Sequence, residues 1–432
     1  MIALHTIIFM CIIMIILMII SIIKIPQIKI KGREISTFWI IPSIFVIILI
    51  LFDFIPIKDI WKGLTENSSI NPLKIICLFF SMTFISIVLD EIGFFEYLAN
   101  KTLQNSKSKQ IKLFIILYVL TSILTIFTSN DIIILTFTPF IIFFAKKAKI
   151  SPIPYLVSEF VAANTWSMLF IIGNPTNIYL ASSNSLCFID YFKVMFLPTL
   201  FGGISSLIIL ILLFYKKLSK PIDIQETNVK IKHKGILIFA LSILIVCTIM
   251  LVISSYVEIE MYLISLISAI ILLIITFIFS LKENSFSYIL NPIKRLPWNL
   301  IPFVISMFIV VLTLKDYQVT NLIEDGLNNK NSILTYGITS TLSCNFINNI
   351  PMSVLFSEII PSNNLGALYA TIIGSNIGAF LTPIGALAGI MWLSILKKHN
   401  VNYSFSSFIK YGVIVAIPTL IISLIGLMII IW

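Results

Sequence analysis

Side chains that could do chemistry in this sequence are amides, hydroxyls and a few carboxyl groups placed inside long apolar segments. Asp131 and Glu159 are acids within such segments. An ionisable group inside an apolar segment is costly and is retained mainly for function, so we predict that these two carboxyl groups bind and release protons or ions. The alternative for Asp131 is a helix N-cap, accepting hydrogen bonds from the helix that it begins.

Polar residues also recur at equivalent places in the two halves of the chain. Two turns, at 128–131 and 345–351, are each followed by an interrupted apolar segment, at 164–177 and 376–385. The intervals from Asn164 to Gly173 and from Asn376 to Gly385 are both nine residues. We predict that these four breaks form one substrate site, with Ser129, Asn130, Asn164, Thr165, Asn174, Thr176, Asn177, Asn348, Asn349, Asn376, Thr382 and Gly385.

Glycine and proline at these breaks free backbone N–H and C=O groups, which hydrocarbon cannot satisfy. Such breaks persist where they are buried in protein or line a wet cavity, and the ends of the half-helices can then bind a polar solute. The alternative is that single asparagines and serines only join neighbouring helices. A recurrence in matching register favours the binding site.

Composition identifies the surroundings of these residues. Of 432 residues, 59% are hydrophobic and 11% are charged, whereas about 25% are charged in soluble domains. The formal net charge is +10, but the basic residues occur in short clusters between apolar runs, which is typical of cytoplasmic loops and excludes nucleic-acid binding. The five cysteines are scattered without a paired spacing, so we expect no metal site.

We therefore predict an all-α polytopic protein of the cell (inner or plasma) membrane, with about ten transmembrane helices. Placing the basic clusters in the cytoplasm puts both termini outside. The ten apolar runs are 2–23, 37–55, 75–89, 154–182, 191–214, 235–254, 261–281, 298–314, 366–396 and 408–431.

Two further segments, 113–145 and 332–361, are predicted to be re-entrant hairpins. The first lies between two basic clusters assigned to the same side, so it must enter and return; two thin full spans are the alternative. The chain then divides into two inverted-topology repeats, 1–214 and 235–432, joined by a cytoplasmic linker at 215–234. Discontinuous helices near the midplane accompany this architecture in transporters.

Several motifs resemble the arsenite permease family of the ion transporter superfamily, from about Thr83 to Gly426. They are 89–96, 129–131 with 138–139, 296–299, 348–351, and 374–378 through 382–388. The resemblance implies a scaffold and a transport domain, with hairpin tips and broken helices holding the substrate. The sequence departs from the arsenite permeases at Asn164 and Asn376, because the family usually carries acids there.

The function expected from these observations is secondary active transport, with arsenite or antimonite efflux coupled to the proton gradient. The alternatives are a sodium/proton antiporter and a citrate or dicarboxylate carrier of the same superfamily. A membrane enzyme and a channel are disfavoured, because the sequence has neither a catalytic motif nor a continuous polar stripe. We expect no cofactor. The partners are a small inorganic oxyacid or ion and the lipid bilayer, while a homodimer and a cytoplasmic ATPase subunit remain open.

Overall fold

The computed structural model describes residues 2–25, 27–30, 33–66, 71–104, 109–221, 231–254, 257, 259–327, 331–361 and 363–431. Helices α1 to α10 are Ile2–Lys24, Ile40–Leu51, Ile57–Thr65, Pro72–Glu91, Phe94–Gln104, Gln110–Phe127, Asn130–Lys147, Ile153–Trp166, Pro175–Ser183 and Phe188–Leu218. Helices α11 to α20 are Lys234–Ile253, Met261–Lys282, Ser287–Arg295, Leu300–Asp316, Val319–Leu327, Ser332–Ile347, Asn349–Ile359, Leu365–Gly378, Leu387–Lys398 and Phe405–Ile431. A small antiparallel hairpin joins α1 to α2, with strands β1 (Gln27–Ile30) and β2 (Arg33–Ser36).

The predicted fold class is confirmed: the protein is a helical multi-pass membrane protein. Within the described residues, eight segments are long and apolar enough to cross a membrane: Leu4–Ile22, Pro72–Glu91, Gln110–Phe127, Phe188–Leu218, Lys234–Ile253, Met261–Lys282, Ser287–Asp316 and Phe405–Ile431. Large apolar side chains, such as Ile267, Ile271 and Ile274 on α12, are exposed along these helices. Lipid is the solvent that tolerates such a surface.

Both predicted hairpins are helix pairs with an abrupt turn. Helices α6 and α7 are separated by Thr128 and Ser129, and α16 and α17 are separated by Asn348 alone. Asn348 has φ 71° and ψ 154°, a backbone conformation that only glycine adopts without strain. Its side chain offsets part of this cost, because Nδ2 donates to the backbone O of Ile384 at 2.9 Å. The second hairpin is thereby fixed to the break that follows α18.

Both predicted broken spans are also present. Helix α8 ends at Trp166, two short 3₁₀ turns follow, and α9 begins at Pro175. In the second half, α18 ends at Gly378 and α19 begins at Leu387. Gly173 and Gly385 allow the chain to fold back here: an added Cβ would lie 2.3 Å from the backbone O of Ser167 in the first break and 2.8 Å from that of Gly378 in the second.

The two halves follow the same plan helix by helix, from α1 to α10 and from α11 to α20. Each half has a short amphipathic helix before its third span, which is α3 in the first half and α13 in the second. A hairpin, a broken span and a long final helix follow, and the final helix contains a proline, Pro198 in α10 and Pro418 in α20. Packing is exchanged between the halves: α4 contacts α12 while α2 contacts α14, and α7 contacts α19 while α9 contacts α17.

The repeat boundaries, 1–214 and 235–432, remain a prediction. Helix α10 continues to Leu218, so it includes the first residues of the proposed linker. Residues 222–230 of that linker lie outside the described residues.

A prediction follows for the first hairpin, whose ends should lie on the same side of the membrane. In a cysteine-free background, Lys109→Cys and Lys147→Cys, both at exposed positions, should be labelled by a membrane-impermeant thiol reagent from the same, cytoplasmic side. Lys193→Cys is the comparator, since it is exposed at the start of α10 and is predicted to face outside. Labelling of positions 109 and 147 from opposite sides would show that the hairpin is not re-entrant.

Candidate functional site

The first hairpin contacts the first broken helix through an asparagine pair. Asn130 begins α7, and its Nδ2 donates to Oδ1 of Asn164 on α8 at 3.0 Å. The Asn164 amide then donates to the backbone O of Phe160 at 2.8 Å. Oδ1 of Asn130 accepts from the backbone N–H of Asp131 at 2.9 Å. Both asparagines are buried, so the hairpin tip is fixed to α8 at a defined depth.

A second set of amides joins the two halves of the chain. We call Ser167, Asn174, Asn177 and Asn376 the central amide network. Oδ1 of Asn376, on α18, accepts from Ser167 Oγ at 2.9 Å and from Asn174 Nδ2 at 2.8 Å. Nδ2 of Asn376 donates to Asn177 Oδ1 at 2.7 Å. All four side chains are buried, and three of them come from the first break while the fourth comes from the second half.

The second hairpin is held against the second break. The backbone N–H of Asn349 donates to the O of Gly385 at 3.0 Å. Asn345, at the end of α16, donates from Nδ2 to the O of Gly378 at 3.0 Å and accepts from Thr382 Oγ1 at 2.7 Å. The hairpin and the broken helix therefore form one unit in each half.

The two hairpins differ in one respect that concerns binding. Asn130 and Asn349 each begin the second helix of their hairpin, but only Asn130 has its side chain bonded to the asparagine of the following broken helix. Oδ1 of Asn349 is buried without a hydrogen-bond partner, as are the hydroxyls of Thr165 and Thr176. A buried polar atom without a partner costs about 1–3 kcal/mol. Each of these three atoms could form a hydrogen bond with a bound solute or a water molecule.

Asp131 lines a cavity of about 260 Å³, which we call the Asp131 cavity. Most of its lining comes from α4, α7 and α19 and from the segment that precedes α14. Its lining is mostly apolar, with polar groups from Asp131, Thr83, Asn299, Ser394 and Arg295. The cavity reaches Asp131, which follows Asn130 at the first hairpin tip.

Glu159 lies outside the residues that line this cavity. Its carboxylate accepts a hydrogen bond from Thr138 Oγ1, at 2.9 Å to Oε1 and 3.1 Å to Oε2, and its side chain is 1% exposed. The contact joins α8 to α7 beside Pro139, which lies inside the continuous helix α7. A role in coupling remains a prediction for both acids.

The structure thus joins most of the predicted residues through three groups of hydrogen bonds. Asn130 meets Asn164, Asn376 meets Asn174 and Asn177, and the segment 348–349 meets 384–385. Ser129 lies at the first tip, with its hydroxyl 3.5 Å from Asn130 Oδ1. Ser167 and Asn345 were not among the predicted site residues, although Ser167 lies within the interrupted segment 164–177 and Asn345 is the first residue of the turn 345–351.

Chemically, this arrangement offers donors and acceptors that are uncharged at neutral pH. A carboxamide presents one acceptor oxygen and two donor hydrogens, and a hydroxyl presents both functions. Helices α7, α9, α17 and α19 begin at these breaks, so their first N–H groups add partial positive charge. Among the described residues, no three His, Cys, Asp or Glu side chains are grouped so as to hold a metal ion.

Comparisons with known proteins agree with this architecture. A "Putative arsenical pump membrane protein" of Bacillus subtilis (strain 168) is 28% identical in an alignment that covers 78% of this chain and 83% of that protein. The "Arsenical pump membrane protein" of Escherichia coli (strain K12) is 24% identical over 81% of this chain and 84% of its own length. The crystal structure of the Alcanivorax borkumensis YdaH transporter shares the fold, with a TM-score of 0.59, 12% identity and coverage of 99% of this chain and 97% of that one.

The family description that fits the sequence is "Arsenical pump membrane protein" (ArsB), and it matches residues 8–432. This match includes both hairpins, both broken helices and the Asp131 cavity. The resemblance inferred from the motifs is confirmed, and the chain, a multi-pass membrane transporter, belongs to the arsenical pump membrane protein family.

Proposed function

We propose that this protein is a secondary transporter that exports the neutral trihydroxides of trivalent arsenic and antimony in exchange for protons. The names of its relatives support an arsenical cargo. Buried, uncharged hydrogen-bonding groups support a neutral solute, since each hydroxyl of such a trihydroxide can both donate and accept.

The central amide network is the observation that carries this proposal. It joins the broken helix of the first half to that of the second through Asn376. Close to it are the hydroxyls of Thr165 and Thr176, and the second hairpin tip adds Asn349 Oδ1. A solute bound here would satisfy these polar atoms and would contact both halves, as alternating access around a midplane site requires.

Asp131 is the proposed proton carrier. It is the carboxyl group that lines the cavity leading to the first hairpin tip, and it lies next to Asn130. A carboxyl group in apolar surroundings favours its neutral form and can release the proton when the surroundings become wetter. Protonation and cargo binding would then be linked through the same tip.

The decisive assay compares two activities in inverted vesicles that contain the full-length protein. We expect arsenite uptake driven by a proton gradient that is acidic inside, and no proton movement on addition of sodium. Sodium-dependent proton flux without arsenite uptake would replace our proposal by a sodium/proton antiporter. Uptake of citrate or a dicarboxylate in place of arsenite would identify the anion carrier.

The hairpin tips give a prediction for this assay. Asn130→Ala and Asn349→Ala should each reduce arsenite uptake by about five- to 150-fold, because a lost hydrogen bond to a bound polar group costs about 1–3 kcal/mol. Asn321→Ala, at an exposed position on α15, is the control and should transport normally. Normal uptake by both tip variants, at equal amounts in the membrane, would assign the tips a structural role.

A further inference from the structure

One of the sequence motifs, segment 89–96, has no part in the proposed site, and the structure brings it against the residue that precedes segment 296–299. Segment 89–96 contains Asp90 and Glu91 at the end of α4, while Arg295 precedes segment 296–299 at the end of α13. NH2 of Arg295 donates to Asp90 Oδ2, and NH1 donates to Glu91 Oε2 at 3.3 Å. One guanidinium group is therefore shared between two carboxylates from the other half of the chain.

Further hydrogen bonds hold the carboxylates that bind Arg295. Asn291, one turn earlier on α13, donates to the remaining Glu91 oxygen, Oε1, at 2.8 Å. Lys232 donates from Nζ to the backbone O of Glu91 at 2.9 Å. The side chains of Asp90 and Glu91 are 18% and 16% exposed, and that of Arg295 is 36% exposed. Partial burial makes such contacts stronger than those on an open surface, and the planar fork of arginine fixes their geometry.

Arg295 also lines the Asp131 cavity, where it and Asp131 are the charged residues of the lining. If the Arg295 guanidinium moved from its present contacts towards Asp131, the largely apolar lining of the cavity would strengthen its attraction to the Asp131 carboxylate. A paired Asp131 would stay ionised, because a nearby positive charge favours the charged form of a carboxyl group. A proton carrier at this position consequently requires that Arg295 be held elsewhere.

We propose that Asp90 and Glu91 are positioning residues, which hold Arg295 at the rim of the Asp131 cavity and so leave Asp131 able to take up and release a proton. The inference rests on the proposed role of Asp131. It assigns a task to the acidic pair of segment 89–96: the pair acts on Asp131 through Arg295 and does not contact the cargo.

Other ionisable groups near α7 must be considered, because Asp131 lies on that helix. Helices α4, α5, α6, α8 and α19 pack against it. Their acidic and basic side chains are Asp90 and Glu91 on α4, Glu96 and Lys101 on α5, Lys112 on α6, Glu159 on α8, and Lys397 and Lys398 on α19, with Lys74 at the far end of α4. Their other ionisable side chains are Cys77 on α4, Tyr97 on α5, Tyr118 on α6 and Tyr155 on α8. Glu159 is bonded to Thr138, and among all of these only Asp90 and Glu91 contact Arg295 in the described residues.

The test measures the protonation of Asp131 directly. Dicyclohexylcarbodiimide reacts with protonated carboxyl groups in apolar surroundings, and mass spectrometry of the purified full-length protein locates the adduct; Asp131→Asn identifies its peptide. We expect labelling of the native protein at pH 7. The isosteric double variant Asp90→Asn/Glu91→Gln should lower Asp131 labelling about tenfold or more, because the released Arg295 pairs with Asp131.

Adding Arg295→Gln to the double variant should restore labelling to within about twofold of the native protein. A merely structural role for the cluster predicts no such recovery. If the double variant does not fold, the single variants Asp90→Asn and Glu91→Gln should each give an intermediate decrease.

Three results would overturn the proposal: no labelling of Asp131 in the native protein, native labelling in the folded variants that lack the acids, or no recovery in the triple variant. Labelling needs no cargo. A protein that fails to transport arsenite but shows this pattern would contradict the proposed cargo and leave the role of Asp90 and Glu91 intact.

Discussion

Replacing Asp131 by asparagine should reduce proton-driven arsenite uptake in inverted vesicles to the level of vesicles without the protein. Asparagine has nearly the same shape, so it preserves the start of α7, but it cannot release a proton in this pH range. The native protein should accumulate more arsenite as the vesicle interior becomes more acidic, because the protons that leave the vesicle drive arsenite into it. The variant should show no dependence on the gradient.

Exchange of arsenite for arsenite across the same vesicles gives the internal control. It requires the cargo site but no net proton movement, so it should persist in Asp131→Asn while the central amide network is intact. Gradient-driven uptake at native levels in the variant would remove Asp131 from the mechanism.

Gly374→Ala should destabilise the protein by about 1–3 kcal/mol or more, as overpacking of a tight interface does. An added Cβ would lie 2.0 Å from Ser340 Oγ and 2.4 Å from the backbone O of Gly337. The backbone cannot withdraw easily, so α16 and α18 must separate. Asn376 follows two residues later on α18, and we therefore expect arsenite uptake to be lost as well.

Gly326→Ala is the matched control, because an added Cβ at this position on α15 meets no atom within 4 Å. Thermal unfolding in detergent, followed by size-exclusion chromatography, compares the two variants. Equal melting temperatures for Gly374→Ala and the native protein would show that α16 and α18 tolerate more space than their contact implies.

The spans and breaks could be predicted from the sequence because each depends on local features. A run of about 20 apolar residues is itself the signal for a span. The first hairpin turn at 128–131 and the break before Pro175 are likewise marked by polar residues, glycine or proline in apolar surroundings. The structure has helix ends within a few residues of these positions, at Asn130 and Pro175.

The partners of these residues could not be predicted, because they are distant in sequence. Asn376 is 202 residues from Asn174, and Arg295 is 205 residues from Asp90. The neighbouring sequence does not distinguish an asparagine that bonds to a distant broken helix from one that caps its own helix. The short helices α3 and α13 and the strands β1 and β2 were also not predicted, since each is too short to produce a periodic signal of its own.

The exchanged packing of the two halves has a consequence for synthesis of the chain. Helices α2, α4, α7 and α9 are made first, yet each contacts a partner from α12, α14, α17 or α19. Until the second half emerges from the ribosome, the polar breaks of the first half lack the neighbours that shield them from lipid. The helices of the first half can therefore complete their packing only after the second half has been made and inserted.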